Sequence, residues 1–202
     1  ARQEDRLALA AMARELGAPA MLCQAPDGAR GAQLLAMLRE LCAVGPPLLM
    51  LQDLDIAGPG LPMEDIALLH REMPTLRGLK IETQLPGPKY TAVLEATQGR
   101  LHVSGGWAAA QMMEAQHRGV HAFIPTAMDR VYVEVFRRFA AGDADSARAQ
   151  SDDGFRRSGS GRRACGHAQV LPEVGGSGGV VAGGVEQGSP VGVDPGWGDD
   201  PG

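Results

Sequence analysis

Lysine is nearly absent from this chain: of its 19 basic residues only Lys80 and Lys89 are lysine, the others being arginine. Long apolar runs are missing too, none approaching the ~18 residues needed to cross a bilayer, so the sequence reads as soluble with no membrane partner. Its 3 cysteines, Cys23, Cys42 and Cys165, make no CxxC pair and no even framework. That argues against a disulfide scaffold or a structural zinc site, so no metal is expected and the cytoplasm is the expected compartment. The formal net charge is −5, and the one basic cluster is the short GFRRSGSGRR at 154–163, which argues against nucleic acid and for a small-molecule or protein partner. No GxGxxG follows a strand and no GxxxxGKS/T occurs, so phosphate-loop chemistry has no foothold and no cofactor is expected. The N-terminus has no initiator methionine and no signal-peptide core, and reads as starting inside a longer gene.

What is present alternates. Leu7, Leu9, Ala10, Met12, Ala13 and Leu16 predict one face of a helix over 2–17 that Gly17 ends. A strand follows at 20–24, a helix at 31–45, a strand at 47–53, a helix at 62–73 and a strand at 76–82. Beyond these come a helix near 88–98, a strand at 101–105, a helix at 107–119, a strand at 121–127 and a helix at 129–143. Each strand is a short apolar run followed by a helix, the signature of a parallel sheet covered by helices.

Two architectures fit, a doubly wound open sheet and a (β/α)8 barrel. The missing phosphate loops weigh against the first. Polar residues gather at strand C-terminal ends, as Gln52 and Asp53, Lys80 and Glu82, Ser104 and Gly105, which is where barrels place their chemistry. Five strands do not close a barrel of eight, so the expected fold is a partial (β/α)8 barrel over 1–150. Residues 151–202 differ in character, holding 15 of the chain's 28 glycines and a single leucine. They are expected to form a disordered tail, read here as a frame-shifted stretch of a GC-rich gene.

Lys80 interrupts the apolar run LRGLKIET. Arginine would supply a permanent charge there, whereas a lysine amine among apolar neighbours can shed its proton and act as a nucleophile. The alternative is a lysine snorkelling from a strand end. PLLMLQDLD, LRGLKIET and LHVSGGWAAAQMMEAQHRGVHAFIPTA, in that order and spacing, resemble the dihydrodipicolinate synthase and N-acetylneuraminate lyase superfamily of class I aldolases. The resemblance covers about residues 1–150. It implies a (β/α)8 barrel that binds a 2-oxo acid, commonly pyruvate, as a Schiff base on Lys80, in a parent that is a homo-oligomer. It also implies that the chain begins before the fourth strand, without the first three strands or the GTTGE-like loop that grips the substrate carboxylate. Gly105 then matches a strand-end glycine beside the ligand, and Phe123 an apolar position lining the oxo-acid pocket or, equally, a core aromatic. Gly106 shares the role of Gly105 or turns the chain.

The departures are specific. Where the family carries a tyrosine–asparagine pair this chain has Gln52 and Asp53, and glutamine cannot serve as a general acid. Ala57 stands where dihydrodipicolinate synthase has an arginine for its second substrate, which argues against lysine biosynthesis. Asp53 is expected to cap the turn before IAGPG or to take over proton transfer. Glu82 is expected to face solvent, the ordinary fate of glutamate, rather than Lys80. The histidines show no ligand spacing. The functional expectation is a Schiff-base lyase, aldolase or dehydratase for a 2-oxo acid, inactive as this fragment, with a non-catalytic metabolite- or partner-binding barrel as the alternative.

Overall fold

A computed structural model describes residues 2–106, 111–125 and 129–157, with the backbone alone for 154–157. Along them run α1 (Gln3–Glu15), β1 (Ala20–Gln24), α2 (Gly31–Val44), β2 (Leu48–Asp55), α3 (Met63–Glu72), β3 (Leu76–Thr83), α4 (Pro86–Thr97), β4 (His102–Gly105), α5 (Met112–His117), β5 (Ala122–Phe123), α6 (Asp129–Ala140) and α7 (Ala144–Arg157). The strand–helix alternation read from the sequence is therefore present. β5 is shorter than the stretch 121–127 suggested, because Pro125 has no N–H to continue a ladder. Residues 107–110 and 126–128 lie outside the described residues.

Local chemistry explains the elements. Leu34, Leu35, Leu38 and Leu41 repeat at helical spacing and bury one stripe of α2. Pro86 opens α4, where its missing N–H costs nothing. The sequence reading missed α7 beyond residue 150. Its start carries a signal nonetheless: Asp143 Oδ1 accepts the Ser146 N–H at 3.0 Å, as a helix-capping aspartate does. The compositional boundary at 150 thus falls inside a helix, and the rest of the glycine-rich tail, 158–202, lies outside the described residues.

All four strand pairings are parallel, and the sheet order is β1-β2-β3-β4-β5 with no reversal. A doubly wound sheet reverses its order at a switch point, and this one does not. With right-handed crossovers, an order that advances in one direction puts every crossover helix on the same face. Neighbour contacts agree, since α1 packs on α2, α2 on α3, α3 on α4 and α4 on α5.

The sheet's two faces are consequently different. Leu51, Leu79 and Val103 sit in register, point to the helices and join Leu38, Leu41, Ile66, Leu69, Tyr90 and Val93 in the core. One residue along each strand the side chains point the other way. There the in-register row is Gln24, Gln52, Lys80, Ser104 and Ala122, four of them polar.

Candidate active site

Lys80 lies in the middle of that polar row on β3, the most buried strand of the sheet. Glu82 is two residues on, so it shares the face. Its carboxylate Oε2 stands 3.1 Å from Lys80 Nζ, and the Gln52 side-chain amide donates a hydrogen bond to the same oxygen. Lys80 and Glu82 are each only 8% exposed, which corrects the expectation that Glu82 faces solvent. A strand parity argument would have found it, since position 82 must follow 80 to the same side.

Two further residues complete the surroundings. Ser104, in register with Lys80, is fully buried and its Oγ has no hydrogen-bond partner among the described residues. A buried hydroxyl left unsatisfied costs about 1–3 kcal/mol. Gly106 closes over the pair: a Cβ there would lie 2.6 Å from the Glu82 carboxyl carbon and collide with Lys80 Cε. Space, not backbone conformation, demands glycine at this position.

Solved structures with this architecture exist. Dihydrodipicolinate synthase from Bacteroides thetaiotaomicron superposes with a TM-score of 0.65 at 19% identity, over 76% of this chain and 53% of that one. A chloride-inhibited dihydrodipicolinate synthase from Acinetobacter baumannii, complexed with pyruvate, gives 0.58 at 21% identity over 74% and 53%. The fold is that of dihydrodipicolinate synthase. A monomeric dihydrodipicolinate synthase variant matches likewise, at 0.64 and 16% identity over 76% and 53%. The described residues therefore form five consecutive βα units of a (β/α)8 barrel, and the chain spans about half the length of the structures it matches. No family model and no curated protein matches the sequence.

In this dihydrodipicolinate synthase fold the other residues singled out from sequence fall on the opposite, helix-covered face. Asp53, Ile81, Gly105 and Phe123 share one register row. Asp53 is buried, pairs with Lys89 Nζ at 2.5 Å and accepts the Leu61 N–H at 2.8 Å. Lys89 also donates to the Pro59 carbonyl, and Gly60, at φ +75, donates its N–H to Asp55. Asp53 is thus built into the loop after β2, the turn-capping alternative, and is turned away from Lys80. The open side of Gly105 is filled by the Phe123 ring and the Tyr90 hydroxyl. Phe123 stacks on Tyr132 at 5.6 Å and lines an open, largely apolar cavity of about 430 Å³ with Met112, His121, Val133 and Phe136. That cavity contains none of the Lys80 cluster. The structure brings together Lys80 and Gln52 and sets Asp53, Gly105 and Phe123 apart from them.

Neither tyrosine of the chain stands in the register row of Gln52 and Lys80. Tyr90 is the nearest candidate, yet its hydroxyl sits on the helix side, 3.4 Å from the Ile81 carbonyl. Burial first, and the Glu82 and Glu114 charges second, push its ionisation well above the ordinary phenol range. Among the described residues no group of three or more His, Cys, Asp or Glu side chains is arranged to hold a metal, and no helix is long and apolar enough to cross a membrane.

Proposed function

We propose that this chain carries the imine-forming half of a Schiff-base lyase, aldolase or dehydratase, with Lys80 as the nucleophile toward a 2-oxo acid such as pyruvate. One observation carries the reading: a buried lysine amine on the barrel face, beside a carboxylate and an orphaned hydroxyl, at mid-strand in a dihydrodipicolinate synthase fold. The pyruvate complex of the Acinetobacter baumannii protein supports the substrate class. Lys80 attacks the 2-oxo carbon, and the resulting imine withdraws electrons from the neighbouring carbon so that a bond there is made or broken. Ser104 supplies a hydrogen bond to an oxygen of the bound acid. The chemistry is assigned to the barrel domain, 1–150, and none to 151–202, in a cytoplasmic setting.

Turnover by the 202-residue chain alone is expected to be negligible. Among the described residues β1 and β5 each have a strand on one side only, whereas barrel strands need two neighbours. Imine formation is a simpler event and can be read separately. Incubation with pyruvate and borohydride should reduce the imine to a stable adduct on Lys80, mapped by mass spectrometry, and Lys80→Arg should abolish it because guanidinium does not lose its proton. An adduct yield at Lys80 no higher than at Lys89 would refute the reading. That result would favour the second function, a barrel that binds a metabolite without turnover, which the replacement of the proton-transferring tyrosine by Gln52 makes worth testing.

A further inference from the structure

We infer that Glu82 is the catalytic proton carrier for imine formation at Lys80. The inference rests on the Schiff-base reading and adds to it the group that moves the protons, a task for which Gln52 is chemically unfit. Among the described residues Lys80 makes one ion pair, with Glu82 Oε2 at 3.1 Å, and Gln52 donates to that same oxygen. Gln52 is neutral and here acts only as a donor, so it fixes the carboxylate's orientation without competing for its charge. The other nearby acid, Asp53, is on the far face and committed to Lys89. Gly106 packs its backbone directly against the Lys80–Glu82 pair, where any side chain would collide with both.

The steps balance without any other reactant. The Lys80 ammonium gives one proton to Glu82, and the neutral amine attacks the 2-oxo carbon while the C=O π bond breaks. The new alkoxide takes the proton from Glu82, and the nitrogen, now carrying two hydrogens and a positive charge, returns one to the carboxylate. Glu82 then protonates the hydroxyl, the C–O bond breaks, water leaves, and the nitrogen lone pair closes the C=N bond. Three ammonium hydrogens end as one on the iminium and two in water. Glu82 finishes as a carboxylate beside an iminium, the same charge pair with which it began.

The test uses the 202-residue chain, pyruvate and borohydride, and follows the rate of adduct formation at Lys80 with Lys89 as internal reference. Glu82→Gln keeps the shape and removes the basicity, and should slow Lys80 labelling about 100-fold while leaving Lys89 labelling unchanged. Glu82→Ala should be equally slow and should regain rate when formate is added, which a purely structural role for the carboxylate would not produce. Glu82→Asp keeps the ion pair and should fall between, which covers the case in which the neutral variants fail to fold. Labelling of Lys80 in Glu82→Gln at the unmodified rate, or no formate response in a folded Glu82→Ala, overturns the role of Glu82 and leaves the Schiff base standing. Failure of the unmodified chain to label Lys80 above Lys89 removes both.

Discussion

Asp53 and Lys89 meet in a setting where neither charge is well hydrated, their side chains 3% and 10% exposed. Removing one member of such a pair strands the other, a change that costs about 3–5 kcal/mol. Lys89→Met should therefore lower stability by roughly that amount, read as a shift of the urea midpoint with an unchanged slope. A shift below about 1 kcal/mol would mean that the pair behaves as an exposed one. The same residues show what was legible in the sequence. Lys80 stood out because a charged residue interrupting an apolar strand is rare. The grouping of Gln52 with Asp53, and of Lys80 with Gly105 and Phe123, followed position along each strand and ignored parity. Side chains alternate, so 52, 80 and 104 belong to one face and 53, 105 and 123 to the other once the register is known. Register depends on pairing between strands, which no single run of residues displays.

Two histidines flank the backbone ladder that joins β4 and β5. The Val103 N–H donates to His121 Nδ1 at 3.1 Å, and the His121 N–H to the Val103 carbonyl at 3.0 Å, while the His102 and His121 rings stack 5.1 Å apart. Burial, and then the neighbouring His121 charge, hold the His102 imidazole below its ordinary range. The folded chain therefore prefers the neutral ring, and the unfolded chain binds more protons near its value of about 6.5. The contribution of His102 is whole above that pH and shrinks as pH falls through it. Urea unfolding at pH 8 and pH 5.5 should show lower stability at the acid end, and His102→Leu should flatten the difference. His70, depressed in the same direction by burial, retains its share. An unchanged pH slope in the variant would show that His102 does not contribute. Elements of this kind were legible as strand and helix from apolar runs and glycine stops. α7 was not, because its sequence buries little and its capping aspartate is a local cue easily lost beside a glycine-rich stretch.

At the scale of the molecule, two features invite association. β1 and β5 offer unpaired edges among the described residues, and Ile56 and Leu85, in loops that follow β2 and β3, are 52% and 77% exposed. We expect the chain to self-associate, as the resemblance implies for its parent, and sedimentation velocity across micromolar concentrations should show dimers or larger species. A single monomeric boundary throughout would refute this. The unbroken strand order bears also on how the chain is made. Among the described residues every strand after the first pairs with the one synthesised just before it, with one crossover segment to be closed between them. Closing such short loops is cheap and fast, and a growing polypeptide emerges N-terminus first at about 5–20 residues per second. The sheet can be laid down in the order in which the ribosome delivers it. A pause in translation after any βα unit leaves a finished edge waiting for its next strand.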